Sequence, residues 1–338
     1  MPAGSSPASA SRPSSDADPR IRIEARLDAD ARDRALAEDV RRGLTASPRV
    51  LPPKYFYDEA GSALFEQITR LPEYYLTRAE REILDAHGAA LMRAFRPEEV
   101  VEIGAGVATK IRPLLRAAPG VRRFVPIDVD AATMRAGAQA LVDAFPDLHV
   151  HGLVGDFERH LSHLPPAQGR RIVAFFGSTI GNLEPASRRR MLHDVGALLG
   201  AEGRFLLGVD LMKDPRVLHA AYDDAAGVTA AFNRNVLHVI NRQLKADFVP
   251  DAFRHVARVD EDAPRVEMHL VAERAQTVRV HSLDLTLAFE AGADIWTESC
   301  YKFTRAGVDA MLAEAGLALE QWLTDSEDRF ALVVARPA

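Results

Sequence analysis

From about residue 78 the chain alternates short, unbroken apolar runs with segments of helical period. Thr77-Arg78-Ala79-Glu80 has the spacing of a capping box, and Ile83, Leu84, His87, Leu91 and Phe95 behind it fall on one helical face. The run VVEIG (100–104) follows, then a helix over 108–117, RFVPIDV (123–129), a helix opened by Asp130, and HVHGLVGD (149–156). RIVAFFGS (171–178), a helix over 186–199 and RFLLGVDL (204–211) complete the series. Strands that are apolar throughout are buried on both faces, and helices between them make the sheet parallel. The prediction is a doubly wound α/β domain.

That rhythm breaks after residue 212. A mostly helical stretch (214–245) leads to RVEMHLVAERAQTVRV (265–280) and LDLTLAFE (283–290), whose apolar and polar positions alternate as in an antiparallel unit with one wet face. Near the C-terminus Thr304 is placed to cap a helix that Gly316 ends, and two further runs are joined by a polar turn at Asp325–Asp328. A helix plus hairpin there would complete the earlier sheet. The expected organisation is an α/β domain from 78–212 with 302–338, and an inserted substrate-binding α+β unit from 21–77 with 213–301. Residues 1–20, rich in Pro, Ala and Ser, carry too little apolar surface to offset ordering entropy, and a disordered tail is expected.

Composition narrows the chemistry. Among 338 residues, 48 acidic against 42 basic side chains create no general attraction for a polyanion, so nucleic acid is not an expected partner. Cys300 is the single cysteine, which excludes an intrachain disulfide and a cysteine-rich metal cage; the 11 histidines form no His-x-x-x-His pair, so no metal is expected. No run approaches the ~20 apolar residues of a membrane span, and the N-terminus lacks the basic start and apolar stretch of a secretory signal. A cytoplasmic monomer acting on a small molecule is the expectation.

Candidate residues gather where strands end. Gly104 and Gly106 close the first strand of the α/β unit, where a backbone without side chains lets a nucleotide-like ligand approach. The third small residue of a dinucleotide fingerprint is absent, Thr109 standing in its place before Lys110, which disfavours a nicotinamide oxidoreductase. Asp128 ends the next strand, where a carboxylate can accept both ribose hydroxyls, and Asp156-Phe157 ends the third, offering an acceptor for an adenine amino group and an apolar edge for its ring. An adenosine without a diphosphate fits this set, with S-adenosylmethionine the obvious candidate. Glycines after strands are also ordinary turn devices, and it is their coincidence with two acids at neighbouring strand ends that points to a ligand. Gly177 to Asn182 ends the fourth strand, where substrate would meet cofactor. Tyr55, Phe56, Tyr57, Tyr74 and Tyr75 suit either an apolar core or the face of a sulfonium or ammonium ion. Glu298 reads either as a specificity carboxylate or, more plainly, as a solvated acid or a partner of Lys302.

Seven strings carry a resemblance: PKYFYDEAGSALFEQITRLPEYYLTRAE (53–80), VEIGAGVATK (101–110), PIDVD (126–130), GDFERHL (155–161), FFGSTIGNLEP (175–185), AYDDAAGVTAAFNRNVL (221–237) and TESCYKFT (297–304). Together they resemble the L-histidine Nα-methyltransferase family, which forms hercynine in the ergothioneine pathway, from about residue 25 to the end. The resemblance implies a class I (Rossmann-like) methyltransferase fold with a family-specific second domain. It implies S-adenosylmethionine against Gly104, Gly106, Lys110, Asp128, Asp156 and Phe157. Tyr57, Tyr74, Gly177, Asn182 and Tyr222 would surround the amino and carboxylate groups of histidine, with Tyr57, Asn182 and Tyr222 nearest the reacting amine, and Met268 and Glu298 would flank the imidazole. Cys300 stands where familiar members have serine, a weaker hydrogen-bond partner in the same pocket. Methylation of a different amino acid, or cofactor binding without turnover, are the alternatives that remain.

Overall fold

The computed structural model describes residues 18–26, 29–260 and 262–338. Its thirteen strands are β1 (Ile21–Ala25), β2 (Glu99–Ile103), β3 (Arg123–Asp128), β4 (His149–Val154), β5 (Arg171–Phe175), β6 (Arg204–Asp210), β7 (Phe253–Asp260), β8 (Arg265–Ala272), β9 (Gln276–Val280), β10 (Leu285–Phe289), β11 (Asp294–Tyr301), β12 (Leu317–Thr324) and β13 (Phe330–Pro337). Eight of them form one sheet in the order β1-β4-β3-β2-β5-β6-β13-β12. The first six run parallel, and the β12–β13 hairpin closes the sheet antiparallel to β6. Strands β2 and β5 are buried at every position, their apolar residues favouring this and an ion pair between Glu99 and Arg171 making it tolerable for the charged ones. The winding reverses between them, so a crevice opens at their carboxyl ends.

One core fills the sheet face covered by the helices Pro185–Leu199 and Arg305–Glu314, and includes Phe175, Leu192, Leu312 and Val333. The other runs from the opposite face without a break into residues 228–295. Residues 228–301 build the helix Val228–Leu244, a three-stranded antiparallel sheet β11-β8-β7 and the hairpin β9–β10. The Asn235 amide donates to Phe56 O at 3.0 Å and to Asp58 Oδ1 at 2.7 Å, tying the short 3-10 turn Pro53–Phe56 to this helix.

Several expectations need correction. Ile21–Ala25, assigned by sequence to the second unit, pairs with β4 as the edge of the main sheet. Residues 18–20 of the expected tail are ordered: Arg20 donates to Val142 O at 2.9 Å and Pro146 O at 3.0 Å; residues 1–17 lie outside the described residues. Thr77 caps nothing, because the helix already starts at Leu76 and its N-cap, Tyr75, makes no side-chain cap bond. The expected helical face holds at Ile83, Leu84 and Leu91, which are buried, but a π turn at Leu84–Gly88 inserts a residue, so that His87 is exposed while Gly88 and Met92 are buried. The helix expected from 108 begins at Ile111. Strands β7 and β11 escaped the pattern reading, and the run 265–280 is two strands.

Candidate active site

The loop after β2 turns through two glycines in the left-handed region, Gly104 at φ 68° and Gly106 at φ 50°, and a Cβ on either would meet nothing within 4 Å. The backbone conformation demands glycine here, and the space above stays open for a ligand. Asp128, the last residue of β3, accepts from Gly106 N–H at 2.9 Å through Oδ2 and from Asp130 N–H at 3.0 Å through Oδ1, so it braces the loop it faces. Burial raises its carboxyl above the usual range in spite of those bonds. Past β4, Asp156 caps a short helix through the Glu158 N–H at 2.9 Å, and Phe157 packs edge-on against Phe175 at 5.3 Å. Lys54 Nζ stands 3.8 Å from Asp156 Oδ2 and 3.1 Å from Asp39 Oδ2, so the Pro53–Phe56 turn overhangs this end of the crevice.

Glu102, one residue before the end of β2, is buried, and its Oε2 has no hydrogen-bond partner among the described residues. Burial pushes it up to about 8, with Lys110 pulling the other way. An orphaned buried acceptor of this kind is costly, and a carboxyl that stays protonated at neutral pH lowers that cost. Lys110 Nζ itself is engaged by the buried Glu80 carboxylate at 2.6 Å.

Opposite, a β-bulge between Trp296 and Glu298 shapes the second wall. Up to the bulge the buried residues of β11 are Ile295 and Thr297; after it they are Glu298 and Cys300, followed by Lys302 just beyond the strand. The extra residue switches which face points inward. Thr297 pins the bulge through its single hydroxyl proton, which lies between two acceptors, Asn233 Oδ1 at 2.7 Å and Met268 O at 2.9 Å. Glu298 lies beside Met268 of β8 in register and accepts from the Asn182 amide at 3.0 Å. Burial raises its carboxyl to about 7, opposed by Lys302 and Asn182. It is therefore no solvated acid, and Lys302 is not its hydrogen-bonded partner: Lys302 Nζ donates instead to Asp210 Oδ2 at 2.8 Å, Tyr222 Oη at 2.8 Å and Cys300 Sγ at 3.2 Å. Tyr222 in turn donates to Cys300 Sγ at 2.8 Å, and Tyr75 donates to Asp210 at 2.8 Å. Despite its burial, the two ammonium groups of Lys302 and Lys213 hold Asp210 below the usual carboxylate range.

Tyr57 is 37% exposed at the mouth, its ring edge-on to Phe65 at 5.6 Å and Phe232 at 5.4 Å. Tyr74 packs on Phe65 from the other side at 6.2 Å. Apolar surroundings raise the phenols of Tyr57, Tyr74 and Tyr222 above the ordinary range, with negative charge or potential charge nearby at Glu298 and Cys300 acting in the same sense. All three are neutral hydroxyls at neutral pH.

The glycine and acid candidates thus sit at the carboxyl ends of β2, β3, β4 and β5, and Glu298, Met268, Cys300 and Tyr222 face them from the second unit. Glu80, Glu102, Asp210 and Lys302 were missed. For Lys302 a signal existed: Glu298, Cys300 and Lys302 are spaced by two, which puts them on one face of a strand. For Glu80 there was none beyond the capping-box reading that the structure overturns.

An open parallel sheet of this order, closed by an antiparallel hairpin and opening its Gly-x-Gly loop at the point where the winding reverses, is the class I architecture of S-adenosylmethionine-dependent methyltransferases. The chain belongs to the family of histidine-specific, S-adenosylmethionine-dependent methyltransferases, whose family model matches residues 36–337. Histidine N-alpha-methyltransferase of Mycolicibacterium smegmatis is 51% identical over 91% of this chain and 97% of its own length. Its namesake from Mycobacterium tuberculosis is 48% identical over 94% of this chain and 99% of its own. Ergothioneine biosynthesis protein 1 of Neurospora crassa is 27% identical over 83% of this chain, which spans 32% of that longer protein. Among the described residues, no helix is long and apolar enough to cross a membrane.

Proposed function

We propose that this chain methylates the α-amine of L-histidine three times in succession, yielding the trimethylammonium betaine hercynine, the entry compound of ergothioneine biosynthesis. The observation that carries the reading is the buried Glu298 carboxylate, held by Asn182 beside Met268 and turned inward by the bulge. A carboxylate there accepts an imidazole N–H and leaves a buried charge unmet by side chains lacking one, which is how a polar pocket rejects isosteres.

The cofactor supplies an electrophilic methyl on a sulfonium. Gly104, Gly106, Lys110, Asp128, Asp156 and Phe157 are the residues assigned to hold it, in the open space above the two glycines. The chain's own task is alignment and exclusion of water. With its Nδ2 spent on Glu298, Asn182 offers its carbonyl to an amine N–H, which directs the amine lone pair. Tyr57 and Tyr74 donate and accept as neutral hydroxyls around the substrate's amine and carboxylate, Tyr222 lines the same pocket with its hydroxyl engaged by Cys300 and Lys302, and the ammonium proton is given up to bulk solvent before transfer. The rings of Tyr57, Phe65 and Phe232 accommodate the growing cation.

Mass spectrometry after incubation with S-adenosylmethionine and an equimolar mixture of the twenty amino acids tests this. Histidine carrying one, two and then three added methyl groups is expected. Methylation of another amino acid would move the specificity to the Cys300-bearing pocket, and bound cofactor without product would make the chain a binding module.

A further inference from the structure

The crevice between β2 and β5 has two banks. Lys110 stands on the β2 side, immediately before the helix Ile111–Ala117, and Gly177 on the β5 side, two residues beyond the strand. Glu80, from the helix Leu76–Ile83, spans them: Oε2 accepts from Lys110 Nζ at 2.6 Å and Oε1 from Gly177 N–H at 2.7 Å. Its side chain is 1% exposed, whereas that of Lys110 is 35% exposed, so the lysine is not forced into this pairing by burial. A neighbour reserves the space. Gly208, inside β6, would carry a Cβ only 2.2 Å from Glu80 Oε1. Glycine weakens a strand interior, and here it clears room for a carboxylate. The 176–177 peptide is held at its other end as well, where Thr179 Oγ1 donates to Phe176 O at 3.1 Å.

We propose that Glu80 is a positioning residue that sets the separation of the cofactor bank from the substrate bank while touching neither ligand. The inference rests on the assignment of Lys110 to the cofactor and Gly177 to the substrate. In-line transfer is sensitive to the distance and angle between donor methyl and amine, and a misplacement of about 1 Å can cost on the order of a hundredfold in rate. Two charge-assisted bonds to one buried carboxylate fix that separation more firmly than the two loops could by themselves.

Glu80→Gln keeps an acceptor for the Gly177 N–H but loses the ion pair with Lys110. Gly208→Ala displaces the same carboxylate from the β6 side. Glu80→Gln is expected to unfold at a temperature close to wild type and Gly208→Ala, whose Cβ also meets the buried Phe330 ring at 3.1 Å, at a lower one, and both are expected to lose at least about tenfold in kcat at saturating S-adenosylmethionine and histidine. The Kd for S-adenosylmethionine, by titration calorimetry, and the histidine KM should stay within about threefold. Lys110→Met, run beside them, should weaken S-adenosylmethionine itself by about tenfold or more, as loss of a charged ligand contact does. A wild-type kcat in Glu80→Gln overturns the proposal, and so does a loss confined to S-adenosylmethionine affinity, since Glu80 would then serve binding instead of spacing. Should Gly208→Ala not fold, the kcat of Glu80→Gln decides by itself. Unchanged cofactor affinity in Lys110→Met refutes the site assignment underneath, and is separately readable from the Glu80 result.

Discussion

Replacing Glu298 by alanine tests the imidazole pocket directly. The carboxylate is buried, has one hydrogen bond from Asn182 and keeps a free oxygen toward the pocket. A hydrogen bond to a charged group contributes about 1.5–3 kcal/mol, which at about 1.4 kcal/mol per decade is roughly ten- to a hundredfold in kcat/KM for histidine. The Kd for S-adenosylmethionine should move by less than about twofold, because the cofactor residues stand at the ends of other strands. Proton linkage supplies a second test. Burial places the Glu298 carboxyl near 7, so the charged acceptor is complete above that pH and is lost as pH falls through it. The wild-type histidine KM should therefore rise between pH 8 and pH 6. Free imidazole titrates in the same window, so the decisive quantity is the difference between wild type and Glu298→Ala, whose KM should follow the substrate's titration alone. Steady-state kinetics by mass spectrometry across that range measures both. A kcat/KM for histidine within about threefold of wild type at pH 8, or identical pH profiles, would refute the assignment.

Four further outcomes follow from the same geometry. Asp128→Ala should weaken S-adenosylmethionine by about tenfold or more in titration calorimetry and leave the histidine KM nearly unchanged, since the carboxylate both braces Gly106 and faces the crevice. Cys300→Ser should lower the histidine KM a few-fold, because oxygen is the better partner for the Tyr222 and Lys302 donors that now meet sulfur; an unchanged KM would show the sulfur to be a bystander. Lys302→Met leaves Asp210 with only Lys213 and Tyr75, and should cost about 3 kcal/mol in denaturant unfolding, the lower end for breaking a buried pair. Glu102 and Glu298 both have folded pKa values above the ordinary 4.5, so the stability they contribute is full below about pH 4.5 and lost as pH rises through about 7 to 8. The ligand-free melting temperature should fall across that interval, and Glu102→Gln should flatten the fall.

Much of this was legible in the residues. Unbroken apolar runs at β2 to β6 are a consequence of burial on both faces, so the parallel sheet and its order of helices could be read directly, as could the Asp130 and Thr304 caps. Gly104, Gly106, Asp128, Asp156 and Gly177 could be placed because each ends or follows a parallel strand, and the parallel strands of this sheet all end on the same rim. The β1 edge was hidden because its only partner, β4, lies far along the chain and five residues of weak pattern carry no period. In the helix before β2 the period correctly marks Ile83, Leu84 and Leu91 as buried, and His87 alone falls outside the stripe, because the π turn at Leu84–Gly88 puts Gly88 in its place.

What the sequence by itself determined is the set of local structures and the edge of the sheet where chemistry gathers, since both follow from short-range period and from turn chemistry. Tertiary structure alone decided which side chains meet there. The bulge at Thr297 reverses the facing of β11 and sends Glu298, Cys300 and Lys302 inward, held by an asparagine that arrives from another helix. Glu80 finds Lys110 and Gly177 across 30 and 97 residues of chain. Such partners are chosen by close packing and by the cost of leaving a buried charge unpaired, and these act between segments that no local pattern connects.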